Sequence, residues 1–142
     1  MYPGYGRRMG RGMGGGFAAA NLPMIPKTAP NAYRAVATLD GNAGLSSPIS
    51  YRFARAPFIS VIDYLDGKIL DLKIIPNSLA SGGGGVGIAL AQWILSIGAN
   101  AVLGSRFGPN LMMVLRQGNI NPLIVSPGIP LGEAVKALGV NA

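Results

Sequence analysis

The sequence predicts an α/β domain: a mixed five-stranded sheet in the order βββαβαβα, with helices on its faces and a glycine-rich arm ahead of it. Three observations predict it. Two β-rich apolar runs, FISVIDYL and KILDLKII, flank Asp66–Gly67, a pair suited to a two-residue hairpin turn. Beyond them, short apolar runs alternate with helix-length stretches to the C-terminus. Strand–helix–strand units of that kind require parallel neighbours and right-handed crossovers. Finally, 142 residues with 49% hydrophobic content suffice for one sizeable core.

Each element has its own signal. RAVATL, from Arg34, reads as a buried strand ending at Asp40, and GNAGLSSPIS as the loop after it. The hairpin strands follow, and Pro76 to Gly85 forms another loop. Val86 to Ile97 reads as a helix stopped by Gly98, and AVLGS as a short strand. Leu111 to Gln117 is a helix with Pro109 in its first turn and Gly118 after its end. PLIVS is a strand closed by Pro127–Gly128. Leu131 to Leu138 is a last helix, with Glu133 in the first turn where the helix dipole favours an acid. The arrangement corresponds to a ribonuclease H-like architecture.

Residues 1–33 form the arm and residues 34–142 the domain. The arm has seven glycines before Phe17 and four prolines by Pro30, a composition that builds no core alone. It carries Arg7, Arg8, Arg11 and Lys27 without an acid, whereas the domain has eight basic and five acidic residues. The basic excess suits a solubilising tail, an anionic surface or another subunit. Three arginines are too few for an RGG-type RNA-binding segment, and nucleic acid is not the expected partner. The apolar stretch after the double arginine is broken by Asn21, Pro23 and Pro26, unlike an ordinary signal peptide. The expected place is the cytoplasm, or outside the cell for a filament.

Composition excludes several chemistries. Neither cysteine nor histidine occurs, which removes disulfides, thiolate and imidazole metal ligands, and catalytic triads built on either residue. A two-metal nuclease needs clustered carboxylates. Asp40 stands alone at its strand end, and the matching place after AVLG is Ser105–Arg106.

Four segments, in order, carry a family likeness: SPISYRFARAPFISVID, IIPNSLASGGGGVGIALAQWI, GANAVLGSRFGPNLMMVL and PLIVSPGIPLGEAVKAL. They resemble the dinitrogenase iron–molybdenum cofactor biosynthesis family over about residues 34–139. Its relatives show Ser-Pro-x-Ser-x-His-Phe-Gly-Arg-Ala, then Asn with His-Gly-Gly-Gly, then Gly-Arg-x-Gly-Pro-Asn. The resemblance implies a non-enzymatic carrier or chaperone of iron–molybdenum or iron–sulfur type cofactors. Here Arg52 stands at the first His position, Ala54 at the following Gly and Ser81 near the second His. Carboxylates and methionines alone are poor ligands for such clusters, so no tightly held cluster is expected.

The candidate site gathers at predicted strand ends. SRFGPN sets Arg106 just past a parallel strand, with Gly108, Pro109 and Asn110 at the next helix start. Ligands of open α/β sheets bind at such ends. Arg52 and Arg55 could converge there with Arg106 on an anion, with Asp40 nearby; surface or subunit contacts are the competing role. Gly82, Gly83, Gly84 and Gly85 precede a helix whose first amides can cradle an anion. Gly82–Gly87 formally fits G-x-G-x-x-G, but lacks the adjoining strand and the ribose-binding acid about 20 residues on. A flexible glycine turn is the plainer reading.

The helix VGIALAQWILSI is apolar on nearly every side, relieved only by Gln92 and Ser96. Gly98, Ala99 and Asn100 interrupt the run, so no membrane span is expected. The expectation is a homo-oligomer or polymer, formed through Ile88–Ile97 and an arm ordered against another subunit. The alternative function is accordingly a self-assembling structural protein that kept the fold and lost cofactor binding.

Overall fold

The computed structural model describes residues 22–142. Strands β1 (Tyr33–Leu39), β2 (Phe58–Leu65) and β3 (Lys68–Pro76) are followed by α1 (Val86–Ser96), β4 (Ala101–Gly104), α2 (Pro109–Gln117), β5 (Asn121–Ile124) and α3 (Leu131–Ala134). The sheet order is β3-β2-β1-β4-β5. The β1–β2 and β2–β3 pairs are antiparallel; β1–β4 and β4–β5 are parallel. This is the mixed five-stranded sheet expected from the sequence.

The hairpin turn lies where Asp66–Gly67 placed it. Leu65 pairs with Lys68, and both turn residues have positive φ, 52° and 77°. That is the backbone of the tight turn whose twist matches the flanking strands. The last helix is shorter than the expected Leu131–Leu138: it becomes a 3₁₀ turn at Val135–Leu138 and is closed by Gly139 at φ 78°. A second 3₁₀ turn, Gly44–Ser46, lies in the loop after β1.

Alternation along the strands makes two apolar layers. Val36, Ile59, Val61 and Val102 face α1 and α2, whose Leu90, Trp93, Ile94, Leu111 and Leu115 cover them. Ala37, Leu39, Ile62 and Leu103 face the other way, onto Leu131, Ala134, Val135 and Val140.

The apolar helix α1 is covered by its own chain. Leu22 and Ile25 are buried in the layer that contains Trp93, and the Trp93 indole N–H donates to the Pro23 carbonyl at 2.8 Å. Met24 reaches the Ser96 hydroxyl with its sulfur at 3.8 Å. This strap, residues 22–27, covers α1 within one chain, where Trp93 and Ile94 are both at most 2% exposed. The end of the arm therefore contributes to the core, in contrast to a purely low-complexity reading of residues 1–33. Tyr2, Tyr5, Arg7, Arg8, Arg11 and Phe17, on which the arm's expected role also rested, lie outside the described residues.

A buried ion pair fastens the strap to the sheet. Arg34 in β1 sits opposite Asp63 in β2, and its Nε donates to Asp63 Oδ1 at 2.6 Å and its Nη2 to Oδ2 at 2.9 Å. The remaining guanidinium donors reach the carbonyls of Ile25, Ile97 (2.8 Å) and Pro26 (3.0 Å). Asp63 also accepts from the Thr28 amide at 2.8 Å. Burial pushes the Asp63 carboxyl upward, but the bonds from Arg34 and Thr28 outweigh it and hold it below the ordinary 3.8.

Candidate functional site

The parallel strands β1 and β4 end side by side, and the chain leaves each toward a helix or loop at the same edge of the sheet. There a cleft of about 370 Å³ opens between the loop after β1 and the starts of α1 and α2. Arg52 and Arg106 both line it. So do Gly85 and Gly87 from the start of α1, and Gly108, Pro109 and Asn110 from the start of α2. Its apolar surface comes from Tyr51, Phe53, Ala54, Ile88 and Leu111.

Local sequence explains this shape. Gly85 has φ 84°, a left-handed conformation that lets α1 begin abruptly. Gly108 precedes Pro109, which is preorganised for the first helical position. No side chain caps either helix. First-turn amides have no intrahelical acceptor, so both helix starts present unpaired donors and the positive end of a dipole. At the end of β4, Gly104 lies beneath Phe53 and Phe107, whose rings meet edge-on with centroids 5.0 Å apart. A Cβ at position 104 would stand 2.8 Å from Phe53 Cδ1 and 2.9 Å from Phe107 Cε1. Gly104→Ala is therefore expected to displace Phe53, which lines the cleft, together with Phe107, and to lower stability by about 1–3 kcal/mol, read from the urea midpoint.

The candidate residues divide into different roles. Arg52 places Nη2 3.8 Å from Asp40 Oδ1, with both side chains partly exposed, so Asp40 acts on the site through Arg52. The Arg52 guanidinium also lies 5.8 Å from the Tyr51 ring centroid. Arg106 is exposed and lines the same cleft, on a loop whose Ser105 hydroxyl donates to the Ser50 carbonyl at 3.3 Å. Arg55 is not in the lining. It donates to the carbonyls of Ala80 (3.1 Å), Gly82 (2.8 Å) and Gly83 (3.0 Å). That corrects the expected convergence of three arginines: Arg55 holds the glycine loop in place and so positions Gly85, while Gly82, Gly83 and Gly84 stay outside the lining.

Two contributors were absent from the expected set. Tyr51 forms an aromatic wall of the cleft, for which its place next to the predicted site residue Arg52 was the available signal. Asn77, buried behind the loop, donates to the carbonyls of Ala54 (2.9 Å) and Ala56 (2.8 Å) and accepts from the Leu79 amide (3.1 Å). It ties the segment carrying Arg52 and Phe53 to the one leading into the glycine loop.

Among the described residues, no three His, Cys, Asp or Glu side chains gather where they could hold a metal ion. No described helix is long and apolar enough to cross a membrane.

The sheet order defines a small α/β domain with a cleft at its parallel strand ends, lined by two arginines and two helix starts. The chain belongs to the family described as dinitrogenase iron–molybdenum cofactor, whose family model matches residues 34–140. An uncharacterised protein of Methanocaldococcus jannaschii is 30% identical over 73 residues, 51% of this chain and 62% of that protein. The match thus spans less than two thirds of that relative. The apo form of the orange protein from Desulfovibrio gigas is 25% identical with a TM-score of 0.67, over 78% of this chain and 89% of that one. A Thermotoga protein provisionally assigned as NifB is 25% identical with a TM-score of 0.59, over 75% of this chain and 86% of that one.

Proposed function

We propose that the domain is a non-enzymatic carrier whose cargo is an anionic cofactor held in the cleft by charge and hydrogen bonds. The observation that carries this reading is the presence of Arg52 and Arg106 in the lining of one cleft that also contains two uncapped helix starts. Guanidinium groups and helix-terminal amides recognise the same thing, a compact negative charge. Family membership is what makes a cofactor, rather than any anion, the proposed cargo.

Direct ligation of an iron–sulfur type cluster does not fit these residues. The lining supplies no thiol, imidazole or carboxylate. A preformed anionic cofactor with its own ligands complete needs none of them. Its sulfide, oxide or acid oxygens would accept hydrogen bonds from Arg52, Arg106 and the first-turn amides of α1 and α2.

Tetrathiomolybdate is a suitable probe in isothermal titration. The parent protein is expected to bind it with an affinity that falls as salt rises. Arg106→Ala should weaken binding about 10- to 100-fold, the loss of one charge-assisted hydrogen-bonding group of about 1.5–3 kcal/mol. Arg52→Ala should weaken it less, because Asp40 already offsets part of that charge. Absence of binding, or binding indifferent to Arg106, would overturn the reading.

A further inference from the structure

We infer that the cleft's cargo carries a flat organic ring as well as a negative group, and that a ring-bearing phosphate monoester is its chemical class. The inference rests on the reading of the cleft as an anion site and extends it to the rest of the ligand. Size is the first argument. A bare tetrahedral oxyanion occupies roughly the volume of three waters at ~30 Å³ each. The cleft's volume is about 370 Å³, inside the range of roughly 300–1,000 Å³ that accommodates small organic ligands.

Chemistry is the second argument. The charged and amide groups occupy only part of the lining: Arg52 and Arg106 at the rim, and the starts of α1 and α2. The rest is Phe53, Ala54, Ile88 and Leu111, surfaces that would gain nothing from an oxyanion and would cost its hydration. A ligand matched to the whole cleft sets an apolar body against these side chains and one anionic end against the helix starts.

The third argument concerns Tyr51, which is 58% exposed although it borders the cleft. The Arg52 guanidinium lies over one face of the Tyr51 ring, 5.8 Å from its centroid, and the other face is left for a ring to stack on. Stacking of a base on an aromatic side chain contributes about 1–3 kcal/mol. Tyr51 is thus assigned as the wall against which the ring lies, with Arg106 in the same lining holding the phosphate.

The test is a set of titrations on the full chain. The probes are adenosine monophosphate, flavin mononucleotide and pyridoxal phosphate, with adenosine, inorganic phosphate and tetrathiomolybdate as comparisons. At least one ring-bearing monophosphate is expected to bind about tenfold or more tighter than inorganic phosphate, equal to about 1.4 kcal/mol. Tyr51→Ala should weaken the ring-bearing monophosphate more than inorganic phosphate and so remove most of that preference. Arg106→Ala should weaken phosphate and monophosphates alike. Both side chains are exposed, and the circular dichroism of the variants should match the parent's.

If none of the three monophosphates binds tighter than phosphate while phosphate or tetrathiomolybdate still binds through Arg106, the ring assignment falls and the anion carrier stands. Failure of every anion to bind overturns both. Adenosine binding as tightly as its monophosphate also overturns both, because the negative end would then contribute nothing.

Discussion

Replacing Asp63 by alanine is expected to lower the domain's stability by about 3–5 kcal/mol, the loss typical of a buried ion pair stripped of one partner. Asp63 and Arg34 are 2% and 1% exposed, so water cannot replace the lost carboxylate. The guanidinium would keep its three carbonyl acceptors but lose its counter-charge, and the Thr28 amide would lose its acceptor. Urea unfolding of Asp63→Ala against the parent measures the effect. Replacing both residues with apolar ones should recover only part of the loss, because the carbonyls of Ile25, Pro26 and Ile97 would then lack their donor. The same pair sets a pH dependence. Asp63 has a folded-state pKa below its ordinary 3.8, so its contribution is complete above that value. It is lost as pH falls through the lower folded-state value, where the unfolded chain binds the proton first. The urea midpoint should therefore drop between about pH 5 and about pH 2, and Asp63→Ala should flatten part of that slope.

Removal of residues 1–27 is the second large effect. Leu22 and Ile25 leave the core, each taking about 1.5–3 kcal/mol of hydrophobic stabilisation. Trp93 loses the Pro23 acceptor, and Arg34 loses two of its three carbonyls. Trp93 is the chain's single tryptophan, so its fluorescence reports the change directly. Emission should shift to the red, and the thermal midpoint should fall. The apolar strip left bare on α1 should increase association on a sizing column rather than decrease it. An unchanged spectrum and midpoint would show that the strap contributes little. Trp93→Ala in the full chain should cost about 3–5 kcal/mol by itself.

The strands were readable because their signals are local. FISVIDYL and KILDLKII carry strand-forming residues on either side of a turn pair that dictates its own backbone. The ends of α2 were marked by Pro109 and Gly118. The last helix was less readable, because Leu131–Leu138 makes barely two turns and the choice between α and 3₁₀ pitch depends on what it packs against. The ion pair was missed for another reason. Arg34 opens RAVATL and Asp63 lies inside FISVIDYL, and nothing near either residue in the sequence marks the other as its partner. Only the antiparallel register of β1 and β2 sets them opposite each other, and burial by the strap is a tertiary event. The apolar α1 was recognised as needing cover, but the pattern of one helix cannot say which chain supplies it. At the cleft, Arg106 stood out by its position just past a strand, and Arg52 by standing at the first His position of the family motif. Arg55 was not distinguishable from them, because three bonds to loop carbonyls leave no mark in its neighbours' identities.

Gly104 beneath the two phenylalanines has a consequence for how such a domain can change over generations. Tyr51, Arg52 and Arg106 stand at the rim on loops, largely exposed, so replacing them alters what the cleft prefers at little cost in stability. Position 104 is the reverse: any added side chain meets Phe53 and Phe107 first. A lineage can therefore change the chemistry of the cleft by substitutions at the rim alone, without passing through an unfolded ancestor. The packing behind those rim residues is inherited almost as a single piece, because a change at Gly104 requires a matching change in both rings.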